Sequence, residues 1–133
     1  MIALLDTTVL IRFLIADKSP KYRKLYSFFK TLEQGETRVE LKLIILFQSV
    51  FFLKSFYKVP KEHIVDGMMD LIGYKGINIK EKTIVRRTME LWRDNNLEIV
   101  ACYLVACSEG DTQNLLYSYD RDFDKFNIAR KEP

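Results

Sequence analysis

The sequence predicts an α/β fold, a three-layer α/β/α sandwich around a mostly parallel sheet of four or five strands. Short apolar runs alternate with helical patterns along the whole chain, the order expected when crossover helices join parallel strands. An early run, "MIALLD", and a late one, "LLYSYD", both finish on an acid, at the strand end where α/β sheets place their sites. A length of 133 residues, 48% apolar and 29% charged, suits a single folded domain with a real core.

The elements follow in order. "MIALL" suits a buried strand with Asp6 at its carboxyl end. "TTVLIRFLIA" puts Val9, Leu10, Phe13 and Leu14 at helical spacing, with Thr7 or Thr8 as the cap. After the turn "DKSP", Ser19 and Pro20 suit the cap and first position of a helix running through Lys30 to about Glu33, which Gly35 ends. "TRVEL" is a second strand. Residues 43 to 57 are too long for a strand and nearly apolar all round over two turns, so they predict a buried helix.

Inside that helix Gln48 is conspicuous, since only it and Ser49 are polar between Ile44 and Leu53. An amide in hydrocarbon without partners costs roughly 1–3 kcal/mol. Gln48 is therefore either a satisfied structural residue or the trace of a polar site. Pro60 then opens the helix "PKEHIVDGMMDLIG", and "GINI" is a third strand. Residues 81–94 form an amphipathic helix whose stripe is Ile84, Val85, Thr88, Leu91 and Trp92. "NLEIVACYLVACSEG" reads as a second nearly continuous apolar helix, starting near Asn96 or Leu97 and stopped by Gly110. "NLLYSYD" is a fourth strand ending at Asp120, and "NIARKEP" offers a short fifth.

The N-terminus lacks a basic opening and is interrupted by Asp6 and Arg12, unlike a signal peptide. No stretch reaches the roughly 18–20 uncharged apolar residues of a membrane span. A cytoplasmic protein with no membrane partner is expected. Cys102 and Cys107 lie five apart, about 140° around a helix, so they should not bridge and should be buried reduced thiols. A net charge of +3 permits a nucleic-acid partner without arguing for one. The clusters Lys18, Lys21, Arg23, Lys24 and Lys30, and Arg86 with Arg87, read as solvated faces. His63 should face solvent, and Tyr117 and Tyr119 should pack in the sheet.

Asp6 and Asp120 are the residues with chemical promise. If their strands are neighbours, both carboxylates project into one crevice at the carboxyl edge of the sheet. Clustered carboxylates raise each other's pKa unless a divalent cation such as Mg²⁺ or Mn²⁺ neutralises them, an arrangement that suits phosphodiester hydrolysis. On spacing alone, a helix-capping role for Asp6 is an equal reading.

"MIALLDTTVLIRFL", "SVFFLKSFYKVPKEHI", "NLEIVACYLVA" and "LLYSYDRDFDKF", in that order, resemble PIN domains, especially the VapC-type toxins of VapBC toxin–antitoxin pairs. The resemblance implies a PIN-like sandwich over residues 1–133 and a metal-dependent endoribonuclease, in which three or four acids gather around Mg²⁺ or Mn²⁺ and water attacks an RNA phosphate. It also implies RNA as substrate, an antitoxin-like protein partner and a homodimer. Carried over by position, the first acid is Asp6, followed by Thr7, while Thr8 stands where Asn is common. The family's Glu falls in "ILFQ", at Gln48. In "EIVAC" Glu98 fills the outer acidic place and Ala101 the inner. "SYDRDF" supplies Asp120 as the site residue with Asp122 beside it, and Ser118 as a hydroxyl suited to orienting water.

Two of the four usual acids are thus lost. At an effective dielectric near 20, a unit charge pair about 4 Å apart is worth roughly 4 kcal/mol, so metal affinity should fall by orders of magnitude. The expectation is an inactive or weakly active ribonuclease that keeps RNA or partner binding, with Gln48 pointing into the acidic crevice. One alternative is a remodelled site. Glu98 and Ala101, three apart on a helix, would share a face, and Glu98 would join Asp6 and Asp120 on the metal. The other is a non-catalytic structural or dimerisation module.

Overall fold

A computed structural model describes residues 1–109, 111 and 113–133. They form two compact units, Met1–Lys80 and Glu81–Pro133. The first contains α1 (Thr7–Leu14), α2 (Leu25–Gln34), β1 (Val39–Glu40), α3 (Leu43–Ser55), α4 (Lys61–Ile72) and β2 (Ile77–Asn78). The second contains α5 (Lys82–Asp94), α6 (Ile99–Glu109), β3 (Leu115–Tyr117) and β4 (Ala129–Lys131). Single 3₁₀ turns lie at Pro20–Tyr22 and Arg121–Lys125.

The alternation of helices with parallel strands is as expected, but the strands are short. Among the described residues they make two parallel pairs, β1 with β2 and β3 with β4, rather than one sheet of four or five. The expected first strand is reduced to a parallel bridge between Leu4 and Glu40. Its ladder has only two bonds, Glu40 N–H to Ala3 C=O and Leu5 N–H to Glu40 C=O, before Asp6 starts α1. Nor is that segment buried throughout, since Leu4 is exposed and Leu5 alone enters the core.

Local chemistry explains the helix ends. α1 closes with Ala16 left-handed (φ 55°), its N–H donating to Phe13 C=O and that of Asp17 to Arg12 C=O, a Schellman closure. α2 closes in the same way through Gly35 (φ 79°), where a residue without Cβ avoids the left-handed penalty. The predicted helix from Ser19 splits into the 3₁₀ turn, with Pro20 at its start, and then α2. Pro60 precedes α4 as expected. Gly76 is required for a different reason, close approach, because a Cβ there would lie 2.0 Å from Thr37 C=O and 2.7 Å from Leu32 C=O. The helix stop expected at Gly110 lies outside the described residues.

In the first unit α1 packs on α2 and α3, and α3 on α4. Phe13 and Phe29 stack face to face, 3.9 Å between ring centroids, which ties α1 to α2. α3 differs from expectation. It buries Leu46, Ser49, Val50 and Leu53 but leaves Ile44 and Phe51 exposed, as is Phe56 just after it. The apolar run concealed a sided helix, because Ile44, Phe51 and Phe52 share its exposed face with Gln48, Lys54 and Ser55. In the second unit α5 and α6 pack together around Val85, Met89, Trp92, Cys102 and Val105. The buried stripe of α5 includes Met89, and Ile84 is only half-buried. Both cysteines are free thiols, Cys102 buried and Cys107 half-buried.

Candidate functional site

In the first unit the site is built on the start of α1. Asp6 is extended (φ −93°, ψ 158°) and caps the helix, so the cap is neither Thr7 nor Thr8. Its Oδ2 accepts from the Thr8 hydroxyl at 2.8 Å and from the Thr8 N–H at 3.4 Å. The Thr8 hydroxyl, then the Thr8 and Thr7 N–H groups, hold its carboxyl below the usual Asp range, because all three favour the anion. A carboxylate is the stronger acceptor at such a position, which leaves the Thr7 hydroxyl to turn elsewhere.

Buried Thr7 donates its hydroxyl to Gln48 Oε1 at 2.7 Å, a contact across 41 residues that fixes the middle of α3 to the start of α1. Gln48 is thus placed beside the residue that follows Asp6. Its side chain is exposed rather than sunk in hydrocarbon, so the burial cost expected for its amide does not arise. Ser49, fully buried, donates to Ile45 C=O at 2.7 Å within the helix.

In the second unit Glu98 stands just before α6, exposed, its C=O accepting from the Cys102 N–H at 3.1 Å. The helix begins at Ile99, later than the expected 96 or 97. The three-residue spacing from Glu98 to half-buried Ala101 therefore crosses the helix boundary instead of lying on one helical face. Asp120 is exposed and caps the 3₁₀ turn, its Oδ1 accepting from the Asp122 N–H at 2.9 Å. Its own N–H donates to Ser118 Oγ at 3.0 Å, so the Ser118 hydroxyl fixes the loop that presents Asp120. Asp122 is exposed.

Two charged groups were not singled out from the sequence. Glu40 is buried and paired with Lys42, whose ammonium holds the carboxyl below its usual range, with Lys80 adding to the effect. The signal was available, since residues two apart on an extended segment share a face. Arg130, on β4, grips Asp124 with two bonds of 2.7 and 3.0 Å and donates to Ser118 C=O at 2.9 Å. That fork pushes the Asp124 carboxyl down and ties the 3₁₀ turn to β4.

The donor set can be tested against a divalent cation. Among the described residues no group of three or more His, Cys, Asp or Glu side chains is placed to hold one. In the first unit Asp6 Oδ2 accepts from Thr8 and Gln48 Oε1 from Thr7. The residues of neither unit alone fit a Mg²⁺ or Mn²⁺ centre.

No family model matches the chain. Its likeness to one known protein runs from end to end. The chain is 24% identical over 130 residues to a VapC ribonuclease of Aquifex aeolicus (strain VF5), covering 98% of this chain and 96% of that protein. The likeness supports a VapC-like relationship and takes in both units. No helix among the described residues is long and apolar enough to cross a membrane.

Proposed function

We propose that this chain is a VapC-like PIN-domain protein, residues 1–133 forming a single domain of the α/β/α sandwich kind, with an acidic site depleted at Gln48 and Ala101. It binds RNA and cleaves it weakly or not at all. The observation that carries the reading is the likeness to a VapC ribonuclease over 98% of the chain. The Thr7–Gln48 bond supports the placing of the family's Glu at position 48, because it sets that side chain beside Thr7, the residue that follows Asp6. Asp6, Glu98 and Asp120 are the carboxylates assigned to the site, with Thr7, Ser118 and Asp122 in support and Thr8 in the place of the usual Asn. Mg²⁺ or Mn²⁺ is the implied cofactor, bound weakly. A cytoplasmic homodimer held in check by an antitoxin-like protein completes the reading.

The test is cleavage of labelled total RNA with and without millimolar Mn²⁺, together with melting of the protein over the same metal range. The natural chain should cleave little and melt at the same temperature throughout. The double variant Gln48→Glu/Ala101→Asp should gain both a metal-dependent rise in melting temperature and cleavage. A restored variant that stays inert to metal would overturn the reading. Strong cleavage by the natural chain, lost in Glu98→Gln, would instead select the remodelled site.

A further inference from the structure

Two cavities adjoin at the start of α1 in the first unit and share Thr8 and Arg12 as walls. One, of about 240 Å³, is almost wholly apolar and is closed by Phe52, Phe56 and Tyr57. The other, of about 390 Å³, is lined by Lys21 and Tyr22. Arg12 lies between them, its guanidinium carbon 5.3 Å from the Tyr22 ring centre and 6.0 Å from that of Tyr57. Asp17 holds it there through a 3.2 Å bond, and Lys21 lies 5.6 Å over the Tyr22 ring. Phe56 is 72% exposed, an aromatic face presented to solvent at the cavity mouth. Thr8, common to both cavities, is the residue whose hydroxyl binds Asp6.

We propose that these cavities form a subsite for one unpaired nucleotide of an RNA strand, its base in the aromatic cavity and its phosphate against Arg12 and Lys21. The first cavity is smaller than a drug-sized pocket of roughly 300–1,000 Å³ and suits a single ring system. Charge selects the occupant. From Arg12 to Lys30 the chain carries six basic residues and one acid, Asp17, which is engaged with Arg12. An apolar peptide segment would use the aromatic rings but bring no anion to the two cations that line the cavities, Arg12 and Lys21, which among the described residues have only Asp17, beside Arg12. A nucleotide satisfies both, since every base has a face for stacking and every phosphate a charge for Lys or Arg. Unpaired RNA is favoured over duplex because only a splayed base can enter. The subsite rests on the RNA-binding reading and sets the nucleotide beside Asp6.

Fluorescence anisotropy tests it, using a mixed-sequence single strand of about 12 nucleotides, the same strand with abasic central positions, and the duplex. The natural chain should bind the intact strand more tightly than the other two. Phe56→Ala, at an exposed position, should weaken binding of the intact strand by roughly 5- to 150-fold, the worth of one stacked base, and leave the abasic strand unaffected. Lys21→Gln should weaken both strands and reduce the salt slope by about 0.7. Phe56→Trp should show fluorescence quenching by the intact strand beyond that of Trp92 in the natural chain. Binding that ignores Phe56→Ala, with no quenching in Phe56→Trp, overturns the subsite and leaves RNA binding standing. No binding of any RNA at low salt overturns both. If Phe56→Ala reduces the sedimenting mass and leaves RNA affinity unchanged, the aromatic face joins copies of the chain, and the subsite is again overturned.

Discussion

The bond between Thr7 and Gln48 is where the proposed ancestry meets measurable energetics. Thr7→Val keeps the shape of the buried side chain and removes its donor; Gln48→Ala removes the acceptor at little cost in helix propensity. A neutral hydrogen bond contributes about 0.5–1.5 kcal/mol net. Gln48 is exposed and water can replace its partner, whereas Thr7 is only 8% exposed. The coupling measured by a double-mutant cycle should therefore lie in the lower half of that range, about 0.5–1 kcal/mol. For a chain of this size that is about 2–5 °C in melting temperature. Urea unfolding of the four proteins at one pH gives the coupling directly, provided the slopes agree. A coupling indistinguishable from zero would mean that the contact does not fix α3 to the start of α1. Position 48 would then lose its geometric claim to the family's Glu.

Acid should destabilise the protein through identifiable groups. Asp6, Asp17, Glu40 and Asp124 have depressed folded pKa values, so the unfolded chain takes up protons first; their stabilisation is intact above the ordinary carboxylate range near 4 and is lost as pH falls through the folded values. Melting temperatures should hold from pH 7 to about 5 and drop below it, and Arg130→Gln should shrink that drop by releasing Asp124. Alkali acts through Tyr103, which donates its phenol to Glu81 at 2.6 Å and is held neutral well above pH 10, chiefly by that bond. Absorbance titration should show two late-ionising tyrosines, Tyr103 and Tyr74, the latter raised by burial, of which one is lost in Tyr103→Phe, and the natural chain should lose stability as pH rises past 10. Gly76→Ala should cost at least about 3 kcal/mol in urea unfolding, since the new methyl collides with backbone that cannot give way. Gly73→Ala, whose Cβ would lie 3.3 Å from Asp70 C=O, should cost far less.

Much of the local structure was legible because it depends on neighbours in sequence. Gly35 as a left-handed stop, Pro60 before α4 and the stripe of α5 all follow from backbone sterics or a 3.6-residue period over a dozen residues. The helix of residues 43–55 was equally legible as a helix, but not its sidedness. Large apolar side chains stand on both faces of the run, so the exposure of Ile44 and Phe51 was decided by where α1 and α4 pack. Strand lengths escaped for a related reason. β-pairing is set by partners distant in sequence, and apolar alternation gives no count of the ladder bonds that form.

The site divides along the same line. Asp6 and Asp120, each closing an apolar run, and the amide at 48 in place of a Glu are visible in the bare sequence. Local order also explains why both acids cap the turn that follows them. Tertiary structure alone decided that Thr7 reaches 41 residues along the chain to Gln48, and that Arg12 is set between two aromatic rings beside adjoining cavities. Each of these depends on side chains from separate elements meeting at hydrogen-bond or stacking distance. No periodicity encodes such meetings, because they arise from packing and not from the conformational preferences of a continuous segment.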